Sequence, residues 1–359
     1  MELIKPDVNI NFVGVSRYAY GFSLALVLIT IISLVWRGGP NYGVDFAGGI
    51  LVQIKFNEPT NPKEIRAGLK DIAMADSTIQ SFGAEGRHEF LVRVQQEDRE
   101  LEGLAQKIQG SLERQFGQGA LEIRRVEMVG PKVGRDLRQK ALFAIFYAIL
   151  FIVIYISGRF ELKWLMSIVL AAALMGAVYL ASLFGTSVTW LILLALVVTL
   201  AVCFIFKLKY ALGAIVALIH DVTITIGIFS LLDKEMNLTI VAALMTIVGY
   251  SLNDTIIVFD RIRENLPKFR RQAFGQVINS SINQTLSRTV LTSSTTLAVV
   301  LSLYILGGAV IADFALAMIV GILVGTYSSI YVASPILLIW PPEGKAVKSR
   351  SKTKGGKKK

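Results

Sequence analysis

Eight long apolar runs constrain this chain more than anything else in it. They lie near residues 18–36, 140–157, 165–184, 187–206, 210–232, 237–258, 287–306 and 314–339. A helix rising about 1.5 Å per residue needs roughly 17–25 apolar residues to cross a bilayer core, and each run reaches that length. Backbone polar groups in lipid must be satisfied within the segment, so such runs become helices. With 53% apolar residues and a mean hydropathy of +0.58, the chain is too apolar for a soluble globular protein of 359 residues. The expected class is a polytopic α-helical membrane protein of about eight spans with one polar domain outside the membrane.

Charge sets the expected orientation. Lys5 and Arg17, GRFELKW at 158–164, FKLK at 206–209, RIRENLPKFRR at 261–271 and the tail KSRSKTKGGKKK are basic knots and should be cytoplasmic. The links GTS (185–187), LDKEMN (232–237) and GGAVIAD (307–313) carry little positive charge and should face outward. Both termini are then inside. The expected division is residues 1–36 as N-terminus and first span, 37–138 as a periplasmic domain, 139–340 as the helical bundle and 341–359 as a basic tail. The tail contributes to the +11 net charge and is read as an anchor on anionic lipid rather than a nucleic-acid site. The first run follows about 17 mostly polar residues without a small-residue cleavage site, which reads as an uncleaved anchor. Cys203 is the single cysteine, so no intramolecular disulfide is possible.

The outer block alternates strand and helix patterns. GGILVQIKF (48–56) is rich in β-branched residues, and NPKEIRAGLKDIAMA (61–75) offers Asn61 as a cap with Pro62 in the first turn. STIQSFG (77–83) and HEFLVRV (88–94) flank the turn AEGR. QQEDRELEGLAQKIQGSLERQF (95–116) is amphipathic, and LEIRRVEMVG (121–130) ends the block. The order βαββαβ predicts a ferredoxin-like α+β domain. It holds no nucleophile–base pair and no metal-spaced cluster, and His88 reads as a loop residue. The chain also contains a short repeat: FELKW at 160–164 and FKLKY at 206–210 each precede a span. His220-Asp221 in the later span has Leu174 and Met175 as its counterparts in the earlier one.

Charges inside spans cost roughly 2.5–3.5 kcal/mol on insertion scales, which makes each a functional candidate. Asp254 lies seven residues before Arg261, roughly 10 Å deep and beyond an aspartate's reach to the surface. Thr246, Tyr250, Asn253 and Asp254 are spaced as one polar stripe. The structural alternative is an interhelical hydrogen bond. Arg288 opens the seventh run with Thr292 and Thr295 on its face; it either snorkels to the surface or pairs with Asp254. His220-Asp221, with Thr225 a turn on, suits a proton relay. Adjacent residues point about 100° apart, so the two should face different partners. Asp313 reads as a helix N-cap or an outward proton port. Gly321, Gly325 and Ser329 give small-xxx-small spacing for close packing. No GxxxxGK[ST] loop is present, so any work would draw on an ion gradient or a partner.

YGVDFAGGILVQIKF (42–56), MVGPKVGRDLRQKAL (128–142), GAIVALIHDV (213–222), VGYSLNDTIIVFDRIREN (248–265) and SRTVLTSSTTLAVVLSLYILGG (287–308) together resemble the SecF family of the bacterial SecDF export complex, in the RND superfamily. The resemblance implies an RND-like half-transporter that pairs with SecD in the inner membrane and uses the proton gradient to draw preproteins outward. Its implied partners are the SecYEG channel, the ATPase SecA, YajC, YidC and translocating preproteins, with no cofactor and no enzymatic site. It maps proton-pathway roles onto Asp254 and Arg288, with Asp221 less certain. Asn253 is grouped with these, and His220, Asp313, Tyr250 and Thr292 are weaker candidates. The family usually has six spans, so about 46 residues around 165–206 form an added two-helix hairpin. The alternatives are a small-molecule efflux transporter of the same superfamily and a structural subunit that conducts no protons.

Overall fold

The computed structural model describes residues 8–72, 74, 77–82, 86, 88–94, 103–162, 164–183, 187–269 and 271–341. Lys5, the start of the amphipathic stretch at 95–102, most of the AEGR turn and of the 185–187 link, and the basic tail lie outside them. The elements run α1 (Phe12–Arg37), α2 (Val44–Ala47), β1 (Gly49–Phe56), α3 (Pro62–Gly68), β2 (Thr78–Phe82), β3 (Glu89–Val94), α4 (Leu104–Phe116) and β4 (Leu121–Val129). Then come α5 (Pro131–Glu161), α6 (Trp164–Leu183), α7 (Val188–Ile205), α8 (Lys209–Leu231), α9 (Leu238–Lys268), α10 (Phe274–Leu306) and α11 (Ala309–Ser328). The last continues through a π-helical stretch, Ser329–Ala333, whose extra residue is accommodated where the Ser334 hydroxyl donates to the Ser329 carbonyl at 2.7 Å.

Among the described residues seven helices are long and apolar enough to cross a membrane. The eighth expected span is α7. Its apolar part, Thr189–Ile205, extends about 25 Å and stops short of a full core thickness. Elsewhere helices outrun the apolar windows. The sequence NPKEIRAG forms α3 with a full capping box, Asn61 bonding the Lys63 and Glu64 amides while Glu64 reaches back. Pro131 opens α5 well before the apolar run begins, and α10 starts at Phe274. Arg288 therefore lies mid-helix, not at a helix start.

The four strands form one antiparallel sheet in the order β2-β3-β1-β4, the ferredoxin-like arrangement. Alternation along β1 buries Ile50, Val52, Ile54 and Phe56 against Ile65, Leu69, Ile108 and Leu112 of the helical layer. Gly48 precedes β1 and Gly49 opens it, with φ of 78° and 117°, conformations that favour glycine. Gly48 also sits against the first turn of α5, where a Cβ would lie 2.7 Å from Pro131 Cα.

In the bundle α8 is the most buried of the seven long helices, with His220, Asp221 and Thr225 among its buried residues. Helices α6 and α7, the predicted added hairpin, stand beside α5 through Phe146, Leu150, Ala171, Val178, Ile192 and Ala195. Cys203 of α7 is fully buried in the main core. The sheet domain meets the bundle at the turn between α8 and α9. There Arg93 of β3, nearly buried, pairs with Glu235. Burial pushes this guanidinium below its usual value, with nearby Asp233 opposing the shift; an arginine remains charged regardless.

Candidate functional site

Helices α8, α9, α10 and α11 enclose two carboxylates. Asp221 of α8 is fully buried and Asp254 of α9 is 1% exposed. A charge in so dry a setting needs donors from its neighbours, because water is not there to supply them. Asp221 receives two hydroxyl bonds on Oδ2: Ser251 of α9 donates at 2.5 Å and Ser328 of α11 at 2.8 Å. Its Oδ1 lies 2.9 Å from His220 Nδ1, one hydrogen bond shared whichever atom carries the proton. Asp254 accepts from Ser293 of α10 at 3.3 Å, and Ser293 in turn lies 2.7 Å from the Thr326 hydroxyl of α11. Ser251 and Asp254 are one turn apart on α9, and Thr326 and Ser328 are close on α11. The two acids thus share the same pair of helices.

Glycines in the last span make these distances possible. A Cβ at Gly325 would lie 2.9 Å from Ser251 Cβ, and one at Gly321 would overlap Ile247. The small-residue spacing does permit close packing, as its sequence suggested. It also brings Ser251 and Ser328 within reach of Asp221, a consequence the sequence reading assigned no chemistry.

Several expectations change. Among the described residues no ion pair joins Asp254 to Arg288. Arg288 is exposed because it stands five residues, or about 140° of helical rotation, from the inward-facing Ser293. The predicted stripe on α9 divides: Asp254 is buried, whereas Thr246 and Asn253 are exposed and Tyr250 is half-buried, with its hydroxyl 3.3 Å from the Thr292 carbonyl. Thr292 itself turns its hydroxyl back to the Arg288 carbonyl. His220 and Asp221 were expected to face different partners, yet they bond to each other, since side-chain torsions close the 100° between them. The His220 ring stacks on Tyr327, with centroids 6.1 Å apart, and its Nε2 is buried without a partner among the described residues. Asp313 is no N-cap: Gly308 precedes α11, and Asp313 pairs with Lys234 at 2.8 Å. Ser251, Ser293, Ser328 and Thr326 escaped the sequence reading. The one signal for them was the run of small hydroxyl residues at helical spacing around each acid.

Among the described residues no group of three or more His, Cys, Asp or Glu side chains is arranged to hold a metal. Among the described residues neither buried carboxylate lies in an ion pair with an arginine or lysine.

Fold and site together define a multi-pass helical membrane protein with a ferredoxin-like outer domain and paired intramembrane acids. Residues 38–60 match the SecD/SecF GG motif, and residues 108–196 and 173–343 match the C-terminal region of the protein export membrane proteins SecD/SecF. The protein translocase subunit SecF of Desulfurispirillum indicum is 42% identical, covering 93% of this chain and 92% of its own length. That of Vibrio alginolyticus is 39% identical, covering 94% and 91%. The crystal structure of SecDF from Thermus thermophilus superposes with a TM-score of 0.67 at 34% identity, over 94% of this chain and 39% of the longer SecDF chain. The chain belongs to the SecF family of protein-export membrane proteins. The two matches to the C-terminal family model overlap over residues 173–196, within the α6–α7 hairpin.

Proposed function

We propose that this protein is the SecF-like subunit of an inner-membrane export complex, a motor component rather than an enzyme, which uses the proton gradient to complete preprotein translocation. The observation that carries the reading is the pair of buried acids, Asp221 and Asp254, held by serine hydroxyls from three neighbouring helices. Hydroxyl coordination lets a carboxylate gain or lose a proton with only local rearrangement, as a gradient-driven cycle requires. In this reading both termini are cytoplasmic and the sheet domain is periplasmic. Arg288 and Asp254 stand apart in the present state, and their pairing belongs to a different step of the cycle.

A SecD-like partner is supported by the outer faces of α9 and α10. Thr246, Asn253, Arg288 and Thr295 are exposed there, beside exposed apolar residues such as Met245, Leu291 and Val299. An amide and a guanidinium at that depth call for protein, not hydrocarbon, against them. SecYEG, SecA, YajC, YidC and the preprotein are the further partners of this reading, with anionic lipid at the basic tail.

The test is gradient-dependent export of a preprotein into vesicles carrying the full complex with Asp254→Asn. Asparagine keeps the shape and can still accept from Ser293, so assembly is retained. Export should drop to the level seen when an uncoupler collapses the gradient. Unchanged gradient stimulation would refute the reading.

A further inference from the structure

The turn between α8 and α9 is bound to the outer domain more tightly than a connecting loop requires. The Met236 amide donates to the Asn41 carbonyl at 2.7 Å, and the Gly43 amide donates to the Met236 carbonyl at 2.9 Å. The Leu238 amide, at the start of α9, donates to the Asp45 carboxylate at 2.9 Å. Arg93 of β3 reaches across to Glu235, their side chains only 3% and 15% exposed, and donates to the Tyr42 carbonyl at 3.1 Å. Gly43 completes the fit, since a Cβ there would come within 3.2 Å of both the Asn237 and Glu235 side chains. Residues 41–45 and 235–238 thus form a clasp of backbone bonds, a buried ion pair and a close approach. Hinges have the opposite character, being few bonds around residues free to turn.

The helices that meet in this turn are the two that carry the buried acids. Asp221 lies about 16 Å down α8 from the turn and Asp254 about 24 Å down α9. We propose that the clasp is the coupling joint of the protein: the α8–α9 hairpin and the sheet domain move as one rigid lever. Displacement of the hairpin at Asp221 and Asp254 is then delivered to the outer domain without slack. Glu235, Arg93 and Gly43 are positioning residues in this scheme, and none of them touches a transported proton. The inference rests on the gradient-driven reading above and adds the elements through which the motion passes.

Two opposite perturbations of the full complex test it. Tyr42 and Met236 are bridge partners, so Tyr42→Cys with Met236→Cys, in a Cys203→Ala background, brings two thiols within disulfide reach. A joint that stays closed through the cycle predicts that oxidation leaves gradient-stimulated export unchanged. Loss of export on oxidation, restored by reductant, would overturn the rigid joint. The loosening arm combines Gly43→Val, which wedges the clasp, with Arg93→Met and Glu235→Met. Each methionine alone strands a buried charge and lowers the melting temperature, whereas the two together recover much of it. Gradient-stimulated export should be lost in the loosened proteins, including the restabilised double methionine, while proton uptake by the vesicles and co-purification of the complex persist. Export at the parent level in both Gly43→Val and the double methionine would reduce the clasp to a stability element and overturn the proposal. Asp254→Asn serves as the control. If it too exports normally, the failure lies in the gradient-driven reading and the coupling role falls with it.

Discussion

Replacing Gly325 by alanine inserts one methyl group into the seam between α9 and α11. Its Cβ would lie 2.9 Å from Ser251 Cβ, 3.2 Å from Ser251 Oγ and 3.3 Å from Ser251 Cα. Relaxing the first of these to ordinary contact requires the helices to part by about 0.5 Å, because a helix backbone cannot rotate aside as a side-chain tip can. Overpacking of this kind costs about 1–3 kcal/mol. Alanine's advantage over glycine within a helix returns about 0.5–1 kcal/mol, so the net loss centres on about 1 kcal/mol. The same displacement stretches the Ser251 and Ser328 bonds to Asp221, now 2.5 and 2.8 Å, so gradient-driven export should suffer along with stability. Thermal unfolding of the purified subunit, followed by tryptophan fluorescence, measures the first effect. Gly176→Ala is the internal control, since nothing lies within 4 Å of a Cβ there and only the helix preference remains. The two substitutions should move the melting temperature in opposite directions. A Gly325→Ala protein that melts at or above the parent, or a Gly176→Ala protein that falls equally, would refute the close seam.

Asn265, 2% exposed, donates to Ser281 and to Gln284 at 2.9 Å each and ties α9 to α10 beyond Asp254. Asn265→Ala should cost about 1–3 kcal/mol, read as a lower melting temperature in the same assay. The Lys234–Asp313 pair has side chains 43% and 32% exposed; Lys234→Ala should change stability by less than about 1 kcal/mol, and a larger fall would mean that the turn depends on this pair. Asn279 and Asn283 both bond the Ile10 backbone. Changing both to alanine should speed hydrogen exchange at residues 10–13 while leaving α8 protected.

Hydropathy alone located the bundle, because a run such as 210–232 has only one way to satisfy its backbone in lipid. The outer domain was legible through β1's alternation and the Asn61 cap. Helix ends were less so: α5 begins at Pro131 and α10 at Phe274, where polar turns continue a helix beyond what an apolar window registers. The four-residue α2 gave no periodic signal. Asp221 and Asp254 stood out as acids in apolar helices, but their partners depended on helix rotation and crossing. The chain has many serines and threonines, and spacing along one helix cannot tell which of them meets an acid on another. Of the two readings for Arg288, the pair with Asp254 is absent for that reason, with Ser293 facing inward and Arg288 outward on the same helix.

The serines around the acids serve two needs that normally conflict. A buried carboxylate needs donors close by, and donors on other helices come close only if the helices do. Bulky donors such as asparagine or lysine would hold the helices apart. A serine adds little more volume than alanine yet brings a hydroxyl, and a glycine opposite lets its backbone draw near. At Ser251 both conditions meet, since its Cβ faces Gly325 while its Oγ reaches Asp221. Close packing and carboxylate coordination therefore come from the same residues. A shift of the helices large enough to change one must change the other, and that makes the protonation of these acids sensitive to helix position.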